Sequence, residues 1–399
     1  MPLILCGMAW LFGGSASAQE VSGWLSLVGK SPVEVELTSI DLSGPWQLEG
    51  RSEISAEQVV RFGDLAPIDK GSVAVLSGGS EIVGNEFTAV GRSLSGVSSV
   101  WDTFSLPIRR LRGVLLSIPF QNEDVRAALD DIAAYDGQQD MLVFNNHDRI
   151  RGTFRRLTRQ SVEIQVGKEV RQVERNKVAE IRFAQTVASG GASDGRGWVG
   201  FRDGSLIHAS RFTSSEGRHH VTTTDGVELT SFAPINLAAE LVYVQPQHDQ
   251  VRFLSDLEPI SYKHLGFLDV SWDFRADRNV TGGPLRSGGR TRHKGIGMHS
   301  TARLAYRVPP DAQRFKAEVA IDDSTQRRGS VIFRVFLADS SGQWNAVFES
   351  PVIRGGDDPL PVEVDLQETS ARGLALVVEF ADQADVLDHA NWLEARFEN

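Results

Sequence analysis

The last third of the chain contains eight side chains whose types could hold a small ligand. They are two indole rings and six charged or imidazole groups: Trp272, Lys294, His299, Asp322, Asp323, Asp388, His389 and Trp392. Indole rings pack against the apolar faces of ligands, and charged groups form strong hydrogen bonds. The set therefore predicts a binding site made of an aromatic face and fixed polar groups.

Several of these residues also have a purely structural interpretation. Trp392 follows a turn and precedes the last predicted strand, which fits a place in the core. His299 follows a glycine-containing bend and could hydrogen-bond a neighbouring loop. Asp322 and Asp323 are adjacent, so in a strand they point to opposite faces and one at most can line the site. The other would cap a turn or bind a cation.

The sequence contains no motif to which catalysis can be assigned. A G-x-S-x-G elbow, an H-E-x-x-H helix and a phosphate-binding P-loop are all absent. The single cysteine, Cys6, excludes a disulfide framework and a cysteine-based metal site. We therefore expect a protein that is not an enzyme.

Length and charge narrow the class of protein further. The 399 residues predict several domains, and the net charge of −11 argues against a general nucleic-acid binder. Residues 148–182 are locally basic, with ten cations and five acids. Aromatic stacking platforms are nearly absent there, so the pattern indicates a solvated sheet face, and nucleic acid is not an expected partner.

The N-terminus predicts export. An apolar run over residues 2–12 is followed by small residues and by Ala16-Ser17-Ala18, which fits a signal-peptidase site. Residues 1–18 are therefore predicted to be a signal peptide, and the protein to be periplasmic, cell-surface or secreted. No other stretch reaches the roughly 18 apolar residues that a membrane span needs.

Three segments in the middle of the chain share one pattern. Each has an apolar strand, a tight polar turn and a second strand, and the turns are 77–80, 145–148 and 202–205. Each continues with alternating runs and ends in a short apolar piece. About five short strands in about 45 residues predict small SH3-like barrels or bent sheets. The predicted units are an N-terminal β module (19–120), a helical connector (121–136), a second module (137–184), a linker (185–197), a third module (198–250) and a C-terminal domain (251–399).

Five motifs in the C-terminal domain carry a family resemblance. They are, in order, S-D-L at 255–257, G-G-P-L at 282–285, K-G-I-G-M-H at 294–299, D-D at 322–323 followed by R-G-S-V at 328–331, and D-H-A-N-W at 388–392. Together they resemble the NPCBM family of carbohydrate-binding modules, which is found on family 98 glycoside hydrolases and is classed as carbohydrate-binding family 51. The resemblance covers about residues 251–398.

The resemblance implies a fold, a ligand and a site. The expected fold is an all-β, galactose-binding-like jelly-roll sandwich, which the alternating runs at 330–337 and 373–380 favour independently. The expected partner is a glycan, with galactose-containing glycans first, bound by the eight residues named above. No cofactor is expected, with the exception of a structural calcium ion. Calcium is common in sandwiches of this type, and oxygen ligands would suit it.

Two other functions stay open at this point. One is a structural or protein-interaction protein of the cell envelope whose sandwich does not bind sugar. Exposure of Trp272 or Trp392 beside His299 would favour sugar binding, and burial of both would favour this alternative. The last-ranked hypothesis is a glycoside hydrolase, for which Asp322, Asp323, Asp388 and Glu394 are candidate carboxylates by residue type alone.

Overall fold

A computed structural model of the chain describes residues 21–50, 52–119, 121–185, 195–215, 218–231, 240–266, 271–367, 371–382 and 384–399. The predicted signal peptide and most of the predicted linker lie outside these ranges. The described part is built of strands with a single α-helix, α1 (Asn122–Ala133), so the all-β prediction is confirmed. No helix among the described residues is long and apolar enough to cross a lipid bilayer.

The N-terminal part contains four copies of a five-strand unit. The first copy has strands β1 (Val21–Leu27), β2 (Val33–Asp41), β3 (Pro45–Leu48), β4 (Glu53–Ser55) and β5 (Val59–Gly63). The second has β6 (Ser72–Leu76), β7 (Glu81–Val90), β8 (Ser93–Ser98), β9 (Asp102–Pro107) and β10 (Leu111–Leu115). After α1, the third has β11 (Asp140–Phe144), β12 (Arg149–Leu157), β13 (Ser161–Val166), β14 (Glu169–Glu174) and β15 (Val178–Arg182). The fourth has β16 (Gly197–Phe201), β17 (Leu206–Ser215), β18 (Arg218–Thr223), β19 (Glu228–Thr230) and β20 (Leu241–Pro246).

The segment 19–120, which the sequence pattern treats as one module, thus contains two copies. In the last three copies the turn after the first strand places its third residue in the left-handed region, at Gly79, His147 and Gly204. This backbone conformation favours glycine, and at Gly204 an added Cβ would also lie 2.8 Å from an atom of Ile68. The three recognisable turns therefore reflect one shared backbone requirement.

The four copies associate in two pairs. In the second and third copies, backbone pairing runs β7-β6-β10-β15-β11-β12 and returns from β12 to β7. In the first and fourth copies, it runs β2-β1-β5-β20-β16-β17 and returns from β17 to β2. Each pair of copies therefore closes a ring of six strands, which leaves no free edge in the ring.

One apolar core passes through all four copies. It includes Leu25, Phe87, Ile164 and Phe212, one from each copy. Helix α1 lies outside this core and covers β6 and β10, where Leu129 packs with valines of the second copy. A lone hairpin is only marginally stable, and shared packing supplies the burial that each small unit lacks.

The C-terminal part is a sandwich of two antiparallel sheets. Its strands are β21 (Val251–Phe253), β22 (Ser261–His264), β23 (Arg275–Ala276), β24 (Leu285–Ser287), β25 (Arg290–Arg292), β26 (Gly295–His299), β27 (Ala302–Arg307), β28 (Arg314–Ile321), β29 (Ser330–Ala338), β30 (Trp344–Glu349), β31 (Ile353–Arg354), β32 (Leu360–Asp365), β33 (Gly373–Phe380) and β34 (His389–Glu398). One sheet runs β23-β26-β34-β28-β32 and the other β22-β27-β33-β29-β30. The predicted sandwich is confirmed.

The sandwich packs against the N-terminal part through one buried ion pair and two that are partly exposed. Glu394 of β34 receives a hydrogen bond from the side chain of Arg61 of β5. Arg292 pairs with Asp64, and Arg278 donates to Asp130 of α1 at 2.8 and 3.1 Å. The ring of Trp198 also lies 4.6 Å from that of His293. These contacts fix the position of the sandwich relative to the N-terminal part.

Candidate functional site

The two neighbouring strands β26 and β34 bring imidazole groups together at one end of the sandwich. His299, the last residue of β26, is the register partner of His389, the first residue of β34. Partners in an antiparallel pair project from the same face. Their ring centroids are accordingly 5.9 Å apart.

Trp272 is stacked on this imidazole pair. Its indole ring lies parallel to the ring of His299, with centroids 4.9 Å apart and an angle of 6° between the planes. Its backbone is held by two contacts from β22: its N–H donates to Nδ1 of His264 at 3.2 Å, and its carbonyl accepts from the hydroxyl of Tyr262 at 2.5 Å. Trp272 is half-buried, so part of it stays accessible while these contacts hold its backbone in place.

The hydrogen bonds also fix the tautomers of two histidines. Nδ1 of His264 accepts from Trp272, so Nε2 carries the proton that it donates to the Ser300 carbonyl at 3.0 Å. Nδ1 of His299 donates to the same carbonyl at 2.7 Å. Burial lowers the pKa of His299, although this hydrogen bond opposes the change. His299 is therefore neutral at pH 7, and its Nε2 is a lone-pair acceptor.

A buried carboxyl, that of Asp388, holds Ser300, whose carbonyl accepts hydrogen bonds from His264 and His299. Asp388 accepts a hydrogen bond of 2.6 Å from the Ser300 hydroxyl and one of 2.9 Å from the Ser330 N–H. Burial raises the pKa of Asp388 to about 6, although both hydrogen bonds lower it. Its side chain is enclosed, so Asp388 positions Ser300 rather than a ligand.

This raised pKa predicts a pH-dependent stability. The folded protein holds the proton of Asp388 more tightly than the unfolded chain, so the contribution is complete below about pH 4 and is lost as the pH rises through 6. Asp388→Asn cannot titrate. We expect the free energy of unfolding of the wild type, relative to Asp388→Asn, to fall by up to about 3 kcal/mol between pH 4 and 7.5. Urea unfolding of both proteins at both pH values measures it, and a constant difference would contradict the assignment.

The structure separates the other four predicted residues from this cluster. Lys294 lies at the opposite end of β26, where its Nζ pairs with Asp256 at 2.6 Å and Asp277 at 2.9 Å. The placement of Lys294 in the site is wrong, because five residues of extended strand separate it from His299 by about 16 Å. Its charge is neutralised within the fold.

Trp392 is a core residue. Its side chain has no exposed surface, and its ring meets Phe333 edge-on with centroids 5.1 Å apart. It cannot present a face to a ligand, so the prediction that it lines the site is wrong for this residue. Trp272 supplies the accessible indole instead.

Asp322 and Asp323 hold loops together. Asp322 is buried and accepts from Asn279, Asn391, Arg286 N–H and Ser324 N–H. Asp323 accepts from the N–H groups of Gly288 and Gly289 in the β24–β25 turn. Asp322 lies near His389 and opposes the lowering of its pKa, but the oxygens of both carboxylates are occupied by these donors.

The same hydrogen bonds bear on whether Asp322 and Asp323 could bind a structural calcium ion. Calcium needs six to eight oxygen ligands with free lone pairs. The two aspartates expected to supply them accept from nitrogen donors, and the described residues contain no cluster of three or more His, Cys, Asp or Glu side chains suited to a metal. The carboxylates of Asp322 and Asp323, held by these donors, do not fit the ion.

Sequence reasoning missed His264, Tyr262 and Ser300. Tyr262 and His264 alternate in β22 and project from one face of that strand. That alternation could have indicated a shared role for the two side chains. The role of Ser300 could not be predicted from the sequence. Its carbonyl accepts hydrogen bonds from two histidines only because the fold brings β22 and β26 to the same end of the sandwich.

Comparison with known proteins gives the C-terminal domain a family. Residues 250–398 match the NPCBM/NEW2 domain. A Renibacterium salmoninarum protein named "Putative endo-alpha-N-acetylgalactosaminidase" is 29% identical over 147 residues, which is 36% of this chain and 9% of that protein.

Two solved Clostridium perfringens structures are similar. One contains the second CBM51 module of ZmpB, with GlcNAc, and INT domains; it is 25% identical with a TM-score of 0.33, covering 52% of this chain and 38% of that one. The other is the CBM51 of GH95 with methyl-galactose; it is 22% identical with a TM-score of 0.32, covering 37% of this chain and 99% of that one. Residues 250–398 of this chain match the NPCBM/NEW2 domain, and the described part of this segment folds as a β-sandwich.

Proposed function

We propose that the protein is an exported, non-catalytic glycan-binding protein whose C-terminal sandwich holds a neutral sugar against Trp272. The observation that carries the proposal is the accessible indole stacked on His299. A half-buried tryptophan beside His299 supports sugar binding over pure protein interaction, because burial of both Trp272 and Trp392 would have favoured the latter. Galactose-containing glycans come first as ligands because the family resemblance favours them.

The chemistry of the cluster suits a neutral sugar. The indole face away from His299 offers an apolar surface for the hydrogen-bearing face of a pyranose. The neutral His299 packs on the other face of the indole and supports it. His389 lies beside it, and burial, followed by the nearby His299, lowers its pKa as well. One aromatic face and few polar contacts predict weak binding of a single sugar, near a Kd of about 1 mM.

The carboxylates near the site support a binding role rather than hydrolysis. A glycosidase needs two carboxyl groups facing the bond that is broken, roughly 5 to 9 Å apart. Asp388 is enclosed beneath Ser300, Asp322 is occupied by amide and backbone donors, and Glu394 is paired with Arg61. None of these candidate carboxylates of the hydrolase hypothesis is placed to attack a bound sugar.

A glycan array tests this function on the full mature chain. We expect binding to a defined set of galactose-containing glycans, and a loss of roughly 10- to 100-fold in Trp272→Ala, as for a central aromatic contact. Trp344→Ala is the matched control, because Trp344 is 39% exposed but lies on the edge strand β30 of the other sheet.

Two results would overturn the proposal. Equal losses in both variants would exclude Trp272 as the binding surface. Silence of the folded wild-type chain across the array would favour the cell-envelope interaction protein instead.

A further inference from the structure

The third copy carries a surface whose charge is opposite to that of the chain. Residues 148–182 contain ten cations and five acids within a protein of net charge −11. Four of the cations lie on β12 and are exposed: Arg149, Arg151, Arg155 and Arg156, the arginine row. The row is therefore a local cationic surface on an acidic protein.

Strand geometry places these guanidinium groups in a line. Arg149, Arg151 and Arg155 are separated by even numbers of residues, so they share one face of the strand. Arg149 and Arg151 are about 7 Å apart along it, and Arg151 and Arg155 about twice as far. The pairing of β12 with β13 shifts register between Phe154 and Arg156, which adds Arg156 to the same stretch. The row extends along one strand and offers repeated contacts to an extended ligand.

The arginine row is not neutralised by the fold. Nearby cations have carboxylate partners, as in Lys177 with Glu174 at 3.1 Å and Arg171 with Glu169 at 3.5 Å. Within the described part of the chain, the members of the row form no ion pair, and Arg155 hydrogen-bonds only the amide oxygen of Gln165, with its Nε 3.0 Å away. Glu163 is the register partner of Arg156, so the charge available to a ligand is chiefly that of Arg149, Arg151 and Arg155.

The surroundings favour an anionic sugar polymer over a nucleic acid. Single-stranded nucleic acids are bound by exposed aromatic rings between the basic groups. The aromatic residue within the row, Phe154, packs edge-on against Phe183 with centroids 5.3 Å apart and is not free to stack on a base. A sugar polymer with one anionic group on each repeat needs only spaced cations.

We propose that the arginine row is a second glycan site, which binds polysaccharides bearing carboxylate or sulfate groups. The choice of a sugar polymer rests on the proposed glycan-binding function, whereas the anionic chemistry rests on the row itself. Each exposed ion pair contributes little, about 0 to 1 kcal/mol, so affinity depends on several contacts along one polymer. The acidic remainder of the protein does not prevent this, because charges more than about 8 Å away are screened at physiological salt.

The test measures binding of the full mature chain to immobilised alginate, dextran sulfate and neutral dextran at low and physiological salt. We expect binding to one or both anionic polymers, none to dextran, and weakening with salt. Alginate and dextran sulfate distinguish carboxylate from sulfate recognition. Arg149→Gln/Arg151→Gln is expected to weaken binding at least tenfold, with the folded state checked by circular dichroism.

The matched control changes two exposed arginines of the fourth copy, Arg211→Gln/Arg218→Gln, and is expected to stay within twofold of the wild type. Trp272→Ala is expected to bind the anionic polymers as the wild type does but to lose binding of the neutral glycan. The experiment therefore distinguishes a failure of one proposed site from a failure of the other. Equal losses in the two arginine variants, no binding by the wild type, or tighter binding to a DNA oligonucleotide would each overturn the proposal.

Discussion

Replacing Glu394 with glutamine is expected to lower the free energy of unfolding by about 3 to 5 kcal/mol, the cost of breaking a buried ion pair by removing one partner. Glu394 lies among three guanidinium groups, those of Arg61, Arg292 and Arg396. The side chains of Arg61 and Arg292 are only 3% and 5% exposed. Without the carboxylate, Arg61 and Arg292 share the partly exposed Asp64, and their desolvation is less completely offset.

The pH dependence of this loss has a definite sign. Burial alone would raise the pKa of Glu394, but the three arginines outweigh it and hold the pKa below its usual range. Stability from a lowered carboxyl pKa is present above the unfolded value of about 4.3 and is lost as the pH falls through the folded value. The advantage of the wild type over Glu394→Gln should therefore be complete at pH 7 and should disappear in strong acid.

The control for this prediction is an exposed ion pair in the same domain. Glu349 pairs with Arg334 at 2.7 Å but is 59% exposed. Glu349→Gln should cost less than about 1 kcal/mol. Denaturant unfolding of the three proteins at pH 7 measures both effects. Equal small losses would mean that the sandwich is not fastened to the N-terminal part through Glu394.

Replacing Trp392 with alanine is expected to cost about 3 to 5 kcal/mol of stability, because it leaves a large cavity between the sheets. Trp392 has no exposed surface and contacts the rings of Phe315 and Phe333. Trp272→Ala removes a half-buried ring at the end of the sandwich and should cost much less. Thermal unfolding of the two variants gives the comparison, and a Trp272 loss as large as that of Trp392 would contradict their assignment to surface and core.

A second variant keeps the Trp392 prediction informative if the alanine protein does not fold. The indole Nε1 of Trp392 has no hydrogen-bond partner among the described residues. Trp392→Phe therefore removes volume without breaking a hydrogen bond, and a smaller loss is expected. Its glycan binding should match that of the wild type once the protein is folded, since Trp392 is not part of the Trp272 cluster.

The different fates of the two tryptophans show where sequence reasoning reaches its limit. Alternation predicts that neighbouring side chains of β34 point to opposite faces, but every residue of this strand is buried. Trp392, Ala395 and Phe397 face the sandwich core, while a register shift in the pairing with β28 and a left-handed backbone at Glu394 turn that residue outward to Arg61. This contact joins residues 333 positions apart, and no local pattern encodes it.

Local signals predicted the units better than their assembly. The turns at Gly79, His147 and Gly204 marked three copies, because a left-handed backbone needs particular residues. The first copy has a left-handed glycine in the same turn, Gly29, but polar residues interrupt its first strand and the start of β2 is accessible, so it was not recognised. Pairing between copies, as between β10 and β15, depends on long-range contacts that a repeat pattern does not specify.

A crystal structure of the full mature chain with a bound β-galactoside tests glycan binding at Trp272 most directly. We expect the pyranose ring on the indole face of Trp272 that points away from His299. A sugar bound on Trp344 or on any surface remote from Trp272 would contradict it.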